Sequence, residues 1–251
     1  MKEKPRNPES LDELLKYLKL PFIRENHESL ADAAANDQWS HREFLSALIE
    51  GEAALRRDRS VQRRIQSARF PVIKTLEQYQ WTWPKNVNRL QIQNLFHLNF
   101  IGNKANVIFL GGVGLGKTHL ATALGYSSCL KGFSVLFTTA IDVINALSAA
   151  HAAGRLQIEL KRYLKPDLLI LDELGYLPID KHGADLLFQI ISHRYEKGAM
   201  IITSNRAFND WAAIFNNDST LTSAILDRLL HHGETVLIEG KSYRMKDQVE
   251  A

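Results

Sequence analysis

Over the first seventy positions, apolar residues recur at helical spacing: Leu11, Leu14, Leu15 and Leu18, then Phe44, Leu45, Leu48 and Ile49. Polar residues fill the intervals, and no alternating β-branched run appears, so residues 1–69 are expected to form a separate, wholly helical module. Ser10 with Glu13 and Ser40 with Glu43 have capping-box spacing, and Pro21 is expected to stop the first helix. The helix after Ser40 should end by Phe70, because Pro71 disfavours helix in the residue before it. Residues 70–105 read as a junction holding Trp81, Trp83 and Pro84, with a short amphipathic helix around Arg89 to Leu98. Over 106–251 short apolar runs alternate with helical stretches, the pattern of a parallel sheet covered on both faces. Five strands are predicted: Val107 to Leu110, Val135 to Thr138, Leu168 to Leu171, Met200 to Thr203 and Val236 to Ile238. The expected helices are Thr118 to Leu130, Ile141 to Ala153, Gln157 to Leu164, Gly183 to Glu196 and Ser219 to His231. The fold class is therefore α/β, preceded by a small all-α module.

The chain has 251 residues, 45% hydrophobic and 24% charged, which excludes disorder and low-complexity architecture. A lone Cys129 cannot close an intramolecular disulfide and has no ligand pair beside it, which points to a reducing compartment; it is expected to pack in its helix. The first ten residues are charged, and no apolar stretch approaches the ~20 residues of a membrane-spanning helix. A cytoplasmic location with no membrane partner is expected. The net charge of +3 implies no polyanionic partner by itself. Its distribution does: between Ala53 and Lys74 lie Arg56, Arg57, Arg59, Arg63, Arg64, Arg69 and Lys74 against Asp58 alone. On a helix, Arg56, Arg57, Arg59, Arg63 and Arg64 fall within an arc of about 160°, opposite Ala54, Val61, Ile65 and Ala68. A solvated helix surface normally mixes signs. This one-signed face suits phosphate-backbone binding, which positions a protein on DNA without reading bases.

After the first predicted strand stands GGVGLGKT, Gly111 to Thr118, matching G-x-x-x-x-G-K-[ST] in strand–loop–helix context. Gly111, Gly112, Val113, Gly114, Leu115 and Gly116 would wrap phosphates in main-chain N–H groups, with His119 just beyond. Lys117 supplies charge to the β- and γ-phosphates and the Thr118 hydroxyl a ligand for Mg²⁺. The third strand runs into LLILDEL, so Asp172 emerges where open α/β sheets bind ligands and suits Mg²⁺. Glu173 follows as a base able to deprotonate a water attacking the γ-phosphate. Asn205, after MIITS, can hydrogen-bond that water or the γ-phosphate, or merely cap a turn; Thr203 and Ser204 are weaker candidates for that role. Arg228 precedes the last strand, where spacing alone leaves open a solvated arginine or one meeting a neighbouring subunit's phosphate. Trp81 and Trp83 are expected to pack at the junction, with an adenine contact near 75–85 left open. His231 and His232 lack metal-ligand spacing and are expected to cover their helix end.

GGVGLGKT, LLILDE, ITSN and ILDRL, in that order, resemble the AAA+ ATPases of the DnaC and IstB type. RIQSARFPVIKTLEQY, ending at Tyr79, followed by NVIFLGGVGLGKTHLA, looks like the IstB family, helper ATPases encoded beside an insertion-sequence transposase. The resemblance implies an AAA+ P-loop NTPase core that binds ATP and Mg²⁺. It assigns Lys117, Thr118 and Asp172 to nucleotide and metal, Glu173 to water activation, Asn205 as sensor, and Arg228 as an intersubunit arginine finger. Arg244, in SYR, would match a second sensor. It also implies double-stranded DNA, a ring or helical homo-oligomer and a cognate transposase as partners. Glu239 to Ala251 are too few for the helical lid usual after such a core. A DnaC-like helicase loader, a P-loop small-molecule kinase and a non-hydrolysing DNA scaffold are the alternatives.

Overall fold

The computed structural model describes residues 10–83, 87–240 and 242–243. It divides into two compact units, Met1–Arg63 and Arg64–Ala251.

In the first unit, α1 (Leu11–Tyr17), α2 (Pro21–Asn36) and the first turns of α3 (His41–Ala68) bury Leu15, Ile23 and Leu48 together. Both predicted capping boxes form: Ser10 and Glu13 exchange side-chain to backbone bonds, as do Ser40 and Glu43. Pro21 does not stop the first helix, which already ends at Tyr17. It occupies the first turn of α2, where a missing N–H costs nothing. Leu20 offers α2 no side-chain cap, and the carboxylate of Glu52, 4% exposed, accepts from the N–H of Phe22 at 2.9 Å instead. Arg56 donates to the same carboxylate at 3.1 Å and to the carbonyl of Lys19 at 2.8 Å.

The second unit holds five parallel strands: β1 (Asn106–Gly111), β2 (Val135–Thr139), β3 (Leu168–Leu174), β4 (Ala199–Ser204) and β5 (Gly233–Ile238). Their order is β2-β3-β4-β1-β5. The crossovers are α6 (Lys117–Leu130), α7 (Ala140–Ala152), α8 (Leu156–Leu164), α9 (Lys181–Arg194), α10 (Trp211–Ile214) and α11 (Ser219–Leu230). This is the doubly covered sheet that the apolar runs predict; α10 and the longer reaches of β3 and β5 were not expected. Two apolar layers result, one around Val143, Leu187, Ile190 and Trp211, the other around Phe109, Leu120 and Leu124. The segment read as a junction contributes to the second layer through Tyr79, Ile92 and Leu95, the last two on α4 (Arg89–Leu95), and through Phe100 and Ile101 on α5 (Asn99–Gly102). Cys129 is buried there, as expected, and burial raises its thiol to about 11.

At the amino edge of the sheet Arg194, 1% exposed, donates to the carbonyls of Tyr163, Pro166, Asp167 and Ala199 at 2.8 to 3.2 Å. Burial draws its pKa down to about 10. It closes the turn into β3 onto the start of β4, and a Cβ on Gly198 would lie 2.5 Å from its guanidinium. Arg194→Ala leaves buried carbonyls without donors, so urea unfolding should show a loss of roughly 3 kcal/mol or more at unchanged slope.

Candidate functional site

The loop from Gly111 to Gly116 joins β1 to α6 at the carboxyl edge of the sheet. Gly114 and Gly116 take φ of +75° and +87°, the left-handed region that only glycine enters freely. A Cβ at Gly116 would stand 2.8 Å from the Tyr79 ring, so both conformation and space demand glycine there. Lys117 opens α6 and its ammonium donates to the carbonyls of Gly111 and Gly112 at 2.8 and 2.7 Å. The cradle borders a cavity of about 660 Å³ whose other wall is Pro71, Val72, Ile73, Tyr79 and Trp83. Trp83 therefore lines this cavity, whereas Trp81 packs edge-on against Tyr79 with the Arg89 guanidinium 5.0 Å over its ring. The wall is tied to the loop by His119, whose Nε2 lies 2.8 Å from the Thr75 carbonyl, and by the Tyr79 hydroxyl donating to the Leu115 carbonyl. Burial raises the Tyr79 phenol to about 12.

Asp172, 4% exposed, sits across from Thr118, whose hydroxyl donates to its two oxygens at 3.0 and 3.1 Å. The Thr203 hydroxyl on β4 donates to Asp172 at 2.5 Å and accepts from the N–H of Glu173 at 3.0 Å. β3 does not end at Leu171: it continues to Leu174 through a register shift, and Glu173 takes φ of +61° on that irregularity. Asp172 is buried toward Thr118 and Glu173 is exposed, as the alternation of side chains along a strand provides. A buried carboxylate and a hydroxyl are hard oxygen donors of the kind Mg²⁺ takes, so Thr118 and Asp172 fit that ion. Asn205 follows β4, and its Oδ1 is buried with no hydrogen-bond partner among the described residues.

The remaining predicted residues stand on other elements. Arg228 is half-buried on α11, its guanidinium 5.0 Å over the Phe188 ring and donating to the Ala224 carbonyl. Arg56, Arg57, Arg59 and Arg63 lie on α3 within the first unit and are exposed; Arg64 belongs to the second and is half-buried. Arg244 lies outside the described residues, as does most of Glu239 to Ala251. Thr203 was underweighted in the sequence: a threonine inside an apolar strand signals a buried hydroxyl, but its partners are 30 residues away.

The parallel sheet, the β1–α6 phosphate loop and the acidic pair on β3 define an AAA+ P-loop protein. The chain belongs to the IstB-like ATP binding protein family, whose match runs over residues 13–251. It is 41% identical over 241 residues to the ATP-binding protein of insertion sequence IS21 from Pseudomonas aeruginosa, covering 96% of this chain and 91% of that one. It is 39% identical over 240 residues to the corresponding protein of IS5376 from Geobacillus stearothermophilus, covering 96% and 95%. Among solved structures the DnaC helicase loader matches with TM-score 0.54 and 28% identity, over 65% of this chain and 96% of that one. DnaA from Aquifex aeolicus, bound to AMPPCP, shares the fold at TM-score 0.56 and 24% identity, over 72% and 55%. Among the described residues no helix is long and apolar enough to cross a membrane.

Burial holds the His119 pKa below 6.5. The unfolded chain then binds a proton that the folded chain refuses, so stability falls as pH drops from 6.5 toward the folded-state pKa and is unaffected by this group above 6.5. Thermal melts of His119→Gln against the parent across this range should show a flatter acid limb for the variant.

Proposed function

We propose that this chain is an ATP hydrolase that assembles with ATP on duplex DNA and presents the bound duplex to a transposase. The hydroxyl-bridged pair of Asp172 and Glu173 beside the phosphate loop carries this reading, because a second carboxylate adjoining a metal-binding one suits water attack. The base of ATP lies against Ile73, Tyr79 and Trp83, and the loop N–H groups and Lys117 meet its phosphates. Thr118 and Asp172 would hold Mg²⁺, which when bound would supply charge stabilisation to the γ-phosphoryl group. Glu173 accepts the proton of the attacking water, and Asn205, with an unspent acceptor, orients it. Arg228 serves a neighbouring copy's nucleotide, and the arginines of α3 grip DNA phosphates.

The insertion-sequence relatives match more than nine-tenths of this chain, whereas the DnaC loader matches 65% of it; this favours target DNA and a transposase over a helicase. A small-molecule kinase leaves Glu173, Asn205 and the α3 arginines without a task. Glu173→Gln should retain ATP, hydrolyse it roughly 100-fold more slowly or worse, and remain on duplex DNA correspondingly longer. Equal DNA-bound lifetimes for variant and parent, measured by competitor chase, would defeat the scheme. Turnover stimulated by a metabolite and indifferent to DNA would favour the kinase.

Thr203 acts as a positioning residue, since one hydroxyl fixes both the Asp172 carboxylate and the Glu173 backbone. Thr203→Val should lower kcat by about 10- to 100-fold with KM for ATP nearly unchanged, and Thr203→Ser should restore it. A parallel rise in KM, or equal loss in the serine variant, would show a merely structural role.

A further inference from the structure

A second cluster lies at the other end of the sheet from the phosphate loop. Glu196, in the turn after α9, and His231 and His232, at the end of α11, each place one ligand atom within 4.8 Å of the others. Their spacing in the chain gives no metal signature, and the two histidines do stand at the end of α11, as expected. The fold makes the juxtaposition, because α9 and α11 both return to the amino edge, into β4 and β5.

We propose that Glu196, His231 and His232 form a binding site for a divalent transition ion of the Zn²⁺ class. Two imidazoles and a carboxylate are a borderline donor set that suits Zn²⁺ or Co²⁺ and disfavours Mg²⁺, which takes oxygen. His232 Nε2 and Glu196 Oε1 are 3.5 Å apart. Bonds near 2.0–2.1 Å in a tetrahedron put neighbouring ligand atoms about 3.3 Å apart, so this pair already spans one edge. The rings of His231 and His232 have centroids 4.1 Å apart and are tilted 52°, presenting two nitrogens rather than a flat stack.

The supports are fixed independently of any ion. The Tyr195 hydroxyl is 2.7 Å from His231 Nδ1, an outer hydrogen bond of the kind that sets a ligating histidine's tautomer and leaves Nε2 to the metal. The His231 N–H donates to the Asp227 carbonyl at 3.0 Å, and the His232 carbonyl accepts from the Asn106 N–H on β1 at 2.8 Å, so both backbones are anchored. Glu196 takes φ of +57°, an uncommon conformation for a residue with a side chain, and it carries the carboxylate to His232. All three side chains are exposed and open to an ion from solvent. A bound ion would staple the turn after α9 to the end of α11, three residues beyond Arg228.

The test is a titration of chelator-treated full-length protein with Co²⁺, without nucleotide, read by its visible ligand-field bands. The expected result is one equivalent per chain with the intense bands of four-coordinate Co²⁺, displaced by Zn²⁺ and not by millimolar Mg²⁺. These bands should persist in Asp172→Asn, be lost in His232→Ala and Glu196→Gln, and need roughly tenfold more Co²⁺ in Tyr195→Phe. Parent and variants should share one far-ultraviolet dichroism spectrum, which separates ligand loss from misfolding. Absence of four-coordinate bands in the parent, or their survival in both His232→Ala and Glu196→Gln, overturns the proposal.

Discussion

Asp172 is the point on which the site's geometry depends. A carboxylate at 4% exposure must find compensation for its lost hydration. Here it comes from two hydroxyls on different elements, Thr118 at the start of α6 and Thr203 on β4. One buried charge thus ties the phosphate loop's helix to the two strands that carry the acidic pair and the Asn205 amide. The same Thr203 hydroxyl receives the Glu173 N–H, so the irregularity at Glu173 is held by the group that holds Asp172 inward. A left-handed glutamate is costly, and it persists because fully buried neighbours such as Leu171, Leu174 and Ile202 over-determine the backbone around it.

What the sequence made legible follows from how each element is buried. β1, β3 and β4 are covered on both faces and read as unbroken apolar runs, and the glycine loop announces itself because backbone conformation and close approach leave no other residue. The ends of strands were less legible. Asp172 and Glu173 look like the exit of β3, yet the ladder to β4 resumes at Leu174. The first half of β5, Gly233–Glu234–Thr235, lies on an edge strand where polar residues face water, so its start was read three residues late. The wall of the cavity was hidden more deeply. Residues 71–83 have no helical or strand period, and Tyr79 and Trp83 gain meaning only once the segment lies along the phosphate loop.

Charge on α3 divides by partner rather than by position on the wheel. Arg56, counted with the cationic face, is committed to Glu52 and the Lys19 carbonyl and so helps hold the start of α2. Of the five arginines on the cationic face, that leaves Arg57, Arg59 and Arg63 exposed and within the first unit. Under the proposed function, a grip of this size on phosphates would be short and sequence-tolerant, and affinity would come from several chains acting on one duplex.

Topology also decides what Arg228 can do. The nucleotide cradle stands at the carboxyl edge of β1, whereas α11 runs back to the amino edge before β5 begins, and the His232 carbonyl at its end meets Asn106, the first residue of β1. The strand between is six residues long, which at about 3.3 Å per residue separates the two edges by about 17 Å. An arginine side chain rooted one turn from that end does not cross such a distance, least of all one folded over Phe188. Under the proposed function, action of Arg228 on a phosphate would therefore fall on another copy of the chain. A contact that joins the amino edge of one sheet to the carboxyl edge of the next is head-to-tail, and repetition of it generates a ring or a helix rather than a closed pair.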